Sequence, residues 1–132
     1  MKTRTLIAIG MLVLFLPSGI FAQKKPSSTK PVCGDLMTQG EMNRCAEDDY
    51  KKADAELNKV YQQTMAKLSV EHKLKLKAAQ QAWIQFRDAH CECDAFTFDG
   101  GTMQPLIKYT CLEEETRHRI KQLKSLAEDV SR

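Results

Sequence analysis

The sequence has only one long apolar run, Leu6 to Leu16, and that run is too short for a comfortable membrane span. A transmembrane helix needs about 20 apolar residues, and no second run follows, so we expect no membrane insertion. Lys2 and Arg4 precede the run, and Pro17-Ser18-Gly19 and the small residue Ala22 follow it. This is the order of an export signal. We expect residues 1–22 to be a signal peptide and the mature protein to be periplasmic or secreted.

The sequence also lacks the motifs of nucleic-acid binding, metal binding and catalysis. Basic residues are interleaved with acidic ones, as in 47–52, whereas nucleic acid requires a clustered basic face. The histidines form no His-Glu-x-x-His pattern, and oxidised Cys91 and Cys93 could not bind a metal as thiolates. No Ser-His-Asp or paired-carboxylate arrangement stands out. We therefore expect no enzyme, no cofactor, no metal and no nucleic-acid partner.

A polar segment separates the expected signal from the rest of the chain. Residues 23–32 contain Pro26, Pro31 and two adjacent serines, with almost nothing apolar to bury, which indicates a linker. Removing Lys2 and Arg4 with the signal lowers the formal net charge from +3 to +1. Residues 33–132 then form one domain.

Within this domain, apolar residues recur at steps of three and four, which is the period of an amphipathic helix. We expect a first helix over Gln39–Leu68, a second over Val70–Cys93 with Ser69 as its N-cap, and a third from Pro105. The buried face of the second helix should carry Leu76, Ala79, Trp83 and Phe86. No strand pattern competes. The expected fold class is all-α, a three-helix antiparallel bundle or hairpin-like helical domain tied by two disulfides.

Five cysteines in an exported chain imply two disulfides and one remaining thiol. Cys33 and Cys45 are close in sequence, so their bridge would tie the entry segment to the first helix. Cys91 and Cys111 flank the loop between the second and third helices, and their bridge would join those helices. The sequence leaves open whether Cys93 replaces Cys91 as the partner of Cys111.

Three ordered blocks of residues carry a family resemblance. The first is Met42-Asn43-Arg44-Cys45-Ala46, then Tyr50, Ala53-Asp54, Leu57-Asn58 and Tyr61. The second is Gln80, Trp83, Phe86-Arg87-Asp88-Ala89 and Cys91, and the third is Gly100-Gly101, Cys111, Thr116 and Arg119. Together they resemble the LprI-type lysozyme inhibitor family of small exported bacterial helical proteins, whereas Cys93 departs from its pattern. The resemblance implies that lysozyme is the partner and that cell-wall hydrolysis is blocked.

For most of the signature residues we expect a structural role. Asp54 and Arg87 should form a charge-assisted pair between the first two helices. The full signature set is Asn43, Tyr50, Asp54, Asn58, Trp83, Arg87 and Asp88.

For contact with a partner we expect exposed aromatic residues of the loop and nearby acidic clusters. These candidates are Phe96, Phe98, Asp99, Glu47, Asp48 and Asp49, with Glu113-Glu114-Glu115 as a further acidic cluster. Solvated helix faces explain the acidic clusters equally well. The alternative function is a periplasmic helical interaction module that binds another envelope protein or a cell-wall component.

Overall fold

The computed structural model describes residues 38–131, which form three helices. They are α1 (Gln39–Lys67), α2 (Val70–Phe96) and α3 (Gln104–Asp129), and no strand occurs between residues 38 and 131. The all-α prediction is confirmed. None of these helices combines the length and apolar character that crossing a membrane requires. The expected signal peptide, the linker and Cys33 lie outside the described residues.

The starts of α1 and α2 follow local hydrogen-bond chemistry. The Thr38 hydroxyl accepts a hydrogen bond from the Glu41 backbone, and the Glu41 carboxylate accepts one from the Thr38 backbone. This capping box satisfies N–H groups that the first helical turn leaves free, and it lowers the pKa of Glu41. Ser69 caps α2 by accepting from the His72 backbone, as predicted. Only Leu68 and Ser69 separate α1 from α2, so the two helices turn back sharply on each other.

The third helix lies against both of the others and makes its larger interface with α1. The two ends of that interface show that α1 and α3 run parallel. Asn43 Nδ2 donates to the Thr102 carbonyl at 3.0 Å just before α3, and Thr64 Oγ1 donates to the Leu123 carbonyl at 3.2 Å near its end. Helix α2 runs antiparallel to both, so the chain follows an up-down-up path.

The core contains one face of α1 and one face of α3, and the buried residues recur at the predicted steps of three and four. Both faces are buried over most of their length, and Thr64 and Thr116 are fully buried within them. The main apolar cluster consists of Leu57, Val60, Leu68, Leu76, Ile120 and Leu123. Burying these side chains supplies the main driving force for folding.

The predicted face of α2 is partly wrong. Leu76 is buried and Trp83 packs partly against the core, but Ala79 is exposed and Phe86 is 57% exposed. Gln80 and Arg87 occupy the buried face instead, at 8% and 6% exposure. A polar side chain can be buried at low cost when it has hydrogen-bond partners, and both residues have them.

One disulfide joins the described cysteines, between Cys91 near the end of α2 and Cys111 in α3. Their Cα atoms lie 5.5 Å apart, within the normal range for a bridge. Cys93 is a free, exposed thiol. The partner of Cys111, which the sequence left open, is therefore Cys91. The second expected bridge, Cys33–Cys45, involves a residue outside the described part of the chain and stays a prediction.

The α2–α3 loop is shorter than the sequence indicated, because α2 continues to Phe96 rather than ending at Cys93. Gly100 has φ of +70°, a left-handed conformation that glycine adopts without steric cost. At Gly101 a side chain would meet the Phe98 carbonyl oxygen at 3.0 Å. The Asp99-Gly100-Gly101 turn therefore favours glycine at both positions.

Candidate functional site

Most signature residues converge on the guanidinium of Arg87, in the middle of the bundle. Arg87 Nη1 lies 3.5 Å from Asp54 Oδ1 of α1 and donates to Thr116 Oγ1 of α3 at 3.3 Å. Arg87 Nε donates to Asp88 Oδ1 at 2.9 Å. The ion pair expected between Asp54 and Arg87 is thus present. One buried side chain joins all three helices.

Aromatic rings complete the surroundings of this cation. The guanidinium carbon of Arg87 lies 5.1 Å from the centre of the Trp83 ring and 5.5 Å from that of Tyr50. Both distances permit cation–π attraction. Tyr50 also stacks on Tyr109, and the centres of the two rings lie 6.1 Å apart. Burial raises the pKa of the Tyr50 hydroxyl, since desolvation disfavours the charged form.

A second arginine supports the same tryptophan from α3. The guanidinium carbon of Arg119 lies 5.8 Å from the centre of the Trp83 ring, and Nε donates to Gln80 Oε1 at 2.9 Å. Burial lowers the pKa of Arg119, since desolvation disfavours the charged form. This contact explains why Gln80 is buried. We call the whole group the Arg87 cluster: Tyr50, Asp54, Asn58, Gln80, Trp83, Arg87, Asp88, Thr116 and Arg119.

The Arg87 cluster is saturated by its own internal contacts. Asn58 Nδ2 donates to Asp54 Oδ2 at 3.2 Å, which occupies the second oxygen of that carboxylate. Within residues 38–131, no buried side-chain nitrogen or oxygen lacks a hydrogen-bond partner. The neighbouring clefts, about 250 and 300 Å³ in volume, open beside Arg87. The Arg87 cluster is therefore suited to holding the three helices together.

A possible metal site among the described residues fails on chemical grounds. His90, Asp94 and Cys111 bring one potential ligand atom each within 4.8 Å of one another. Cys111, however, is bonded to Cys91 and cannot act as a thiolate ligand. His90 and Asp94 alone do not make a metal site.

The predicted contact residues lie together at one end of the molecule. Phe96 is 71% exposed and Phe98 is 38% exposed, at the close of α2 and in the loop after it. Asn43 fixes the start of α1 to this loop through Thr102. The acidic residues 47–49 follow one turn later on α1 and are therefore at the same end.

Charge is divided along the bundle axis at the level of Asp54, Arg87 and Thr116. The half that holds the α2–α3 loop, residues 38–53 and 88–115, contains eleven acidic and four basic residues, a formal charge of −7. We call it the loop end. The half that holds the Leu68-Ser69 turn, residues 55–86 and 117–131, contains nine basic and four acidic residues, a formal charge of +5. We call it the turn end.

Ion pairs offset part of the negative charge at the loop end. Lys51 Nζ lies 2.7 Å from Glu47, and Lys52 Nζ lies 3.2 Å from Asp49. The hydrogen bond to Glu47 raises the pKa of Lys51. Lys51 and Lys52 are already counted in the formal charge of −7, so these pairs do not reduce the excess of acidic residues at the loop end.

The family model described as "Lysozyme inhibitor LprI" matches residues 33–123. The chain belongs to the LprI lysozyme inhibitor family. An uncharacterized protein of Rhizobium meliloti (strain 1021), R02472, is 39% identical over 114 residues, covering 76% of this chain and 82% of the relative. No solved structure matches.

In this LprI family member, the signature residues divide into two structural groups. Six of the seven form part of the Arg87 cluster, and Asn43 holds the α2–α3 loop against α1. The sequence pointed to the Asp54–Arg87 pair through opposite charge. It gave no sign of Arg119 beside Trp83, or of the charge division between the ends, because the residues involved are distant in sequence.

Proposed function

We propose that this protein binds a lysozyme through its loop end and thereby blocks hydrolysis of the cell wall. Membership of the LprI family supports the choice of partner. The observation that carries the choice of surface is that the loop end combines a formal charge of −7 with exposed Phe96 and Phe98. Lysozymes of the common animal type are strongly basic, so the charges are complementary.

The division of charge removes an objection to electrostatic attraction. A net charge of +1 for residues 23–132 predicts little attraction to a basic protein. Association rates, however, respond to the local potential of the docking surface as well as to net charge. An approaching cationic protein meets a field from the loop end that favours contact there and disfavours contact at the turn end.

Phe96 and Phe98 supply apolar surface that can be buried at the contact, which charged residues alone do not. Interfaces depend on a few well-buried anchors, and aromatic side chains are common among them. The loop that carries Phe98 is held by the Cys91–Cys111 bridge, by the Asn43–Thr102 hydrogen bond and by the turn at Gly100. A loop already ordered before binding loses less conformational entropy on association.

The proposal includes export of the protein. Residues 1–22 act as the signal peptide, residues 23–32 as a linker, and Cys33–Cys45 as the second bridge that only an oxidising compartment permits. The protein then acts as an inhibitor and not as an enzyme, in the periplasm or outside the cell.

The test is a cell-wall lysis assay with a common animal-type lysozyme, titrated with oxidised protein covering residues 23–132. We expect dose-dependent inhibition by the wild type and at least roughly tenfold weaker inhibition by Phe96→Ala/Phe98→Ala, since each lost anchor costs about 1–2 kcal/mol. Lys73→Gln/Lys77→Gln at the turn end is the control and should inhibit like the wild type. Circular dichroism checks that all variants keep their helices.

Two results would overturn the proposal. If the phenylalanine variant inhibits as well as the wild type, the loop end is not the contact surface. If wild-type protein in large excess leaves lysis unchanged, the interaction module for another envelope protein or cell-wall component becomes the better hypothesis.

A further inference from the structure

Two large apolar side chains at the turn end, on the first turns of α2, are exposed to solvent. Val70 is 77% exposed and Leu74 is 66% exposed. They are four residues apart and therefore neighbours on one face of the helix. Lys73 and Lys77 fall on the same face, at the third and seventh positions after Val70. We call Val70, Lys73, Leu74 and Lys77 the turn-end face.

The positive charge of this face is uncompensated. Among residues 38–131, neither Lys73 nor Lys77 takes part in an ion pair. Two other lysines of the turn end differ, because Lys75 pairs with Glu71 at 2.7 Å and Lys124 pairs with Glu56 at 2.8 Å. With the turn end at +5 overall, the two free ammonium groups lie in a positive field.

Apolar side chains between unpaired lysines suit one kind of surface particularly well. At an anionic bilayer, apolar groups enter the boundary of the acyl chains while lysines extend to the phosphate groups. A soluble anionic polymer offers nothing for Val70 and Leu74 to enter. We propose that the turn-end face docks peripherally on bilayers that contain anionic phospholipid. No helix spans the membrane in this arrangement.

The division of charge would also orient the docked molecule. The loop end carries −7 and is repelled by the same anionic surface that attracts the turn end. At 1.5 Å per residue the 27 residues of α2 span about 40 Å, several times the Debye length at physiological salt. The loop end then points away from the bilayer. Only this consequence is linked to the proposed inhibition of lysozyme; docking itself does not depend on it.

Vesicle co-sedimentation tests the docking. The oxidised protein, residues 23–132, is mixed with vesicles of phosphatidylglycerol and phosphatidylcholine in equal parts, or of phosphatidylcholine alone. We expect binding only to the anionic vesicles. Lys73→Gln/Lys77→Gln should weaken binding at least roughly tenfold, since each lysine near an anionic surface contributes about a factor of five. Val70→Ser/Leu74→Ser should weaken it to a similar degree.

The matched control is Lys51→Gln/Lys52→Gln, which removes the same charge from the loop end. We expect it to bind the anionic vesicles like the wild type. Three outcomes would overturn the proposal: no binding to anionic vesicles, equal loss in the loop-end control, or full binding by Val70→Ser/Leu74→Ser. The last would indicate attraction to anionic groups in general. No lysozyme is present, so failure here and failure of the inhibition assay are distinguishable.

Discussion

Arg87 stabilises the bundle because its guanidinium meets partners from all three helices at once. Its planar fork donates to Asp54, Asp88 and Thr116, and its faces contact aromatic rings. A lysine offers one compact ammonium group and could not satisfy this geometry. Asp54 and Asp88 are partly exposed, at 40% and 56% of their side chains, so water shares the solvation of the two carboxylates. The buried partner is the arginine.

Replacing Arg87 should therefore destabilise the fold more than replacing an arginine in an exposed ion pair. We expect Arg87→Met to lower the free energy of unfolding by about 2–3 kcal/mol, since Thr116 loses a donor and the packing on Trp83 is disturbed. Arg87→Lys should recover less than half of that loss. Urea unfolding measures both. Arg117→Met, at an exposed pair with Glu113, should change stability by less than about 1 kcal/mol. Equal effects of the two methionine variants would contradict this role.

At the scale of elements, α1 and α3 could be predicted from sequence and α2 only in part. The buried faces of α1 and α3 carry apolar residues, with Thr64 and Thr116 hydrogen-bonded inside the bundle. On α2 the periodicity favoured Phe86, yet the buried position belongs to Arg87. Hydrophobic patterning measures the polarity of a side chain, whereas burial of a polar residue depends on partners from other helices. Those partners are not visible in the α2 sequence.

The Cys91–Cys111 bridge fixes α2 to α3 next to the proposed contact loop. Its cysteines are 20 residues apart, and closing a loop of that length contributes about 3 kcal/mol by the chain-entropy model. We expect Cys91→Ser/Cys111→Ser to lose about that much stability in urea unfolding. Cys93→Ser should change it little, because Cys93 is free and exposed. Peptide mapping without reduction provides the complementary check. A fragment joining Cys93 to Cys111 would contradict the assignment.

At the scale of the whole molecule, the arrangement of charge could not be predicted from sequence. The acidic residues of the loop end come from three helices and the loop, separated by up to 74 positions from Glu41 to Glu115. Along the chain they fall in separate short clusters, each of which indicates only a solvated helix face. The parallel packing of α1 and α3 brings them to one end and the basic residues to the other. The contact candidates stay predictions, and their common location at one end depends on the topology of the bundle.

The dependence of the association rate constant on ionic strength should then distinguish attraction by the loop end from attraction by the net charge of the protein. Exposed charges are screened beyond about 10 Å at 0.1 M salt. If the loop end docks on a basic lysozyme, the association rate constant should fall about tenfold or more between roughly 0.02 and 0.3 M NaCl, with little change in dissociation. Stopped-flow measurements with Glu47→Gln/Asp48→Asn/Asp49→Asn should show a flatter dependence. Lys73→Gln/Lys77→Gln should keep the wild-type slope, because both lysines lie at the opposite end. The same steep slope in the acidic-residue variant would exclude this part of the loop end as the source of attraction.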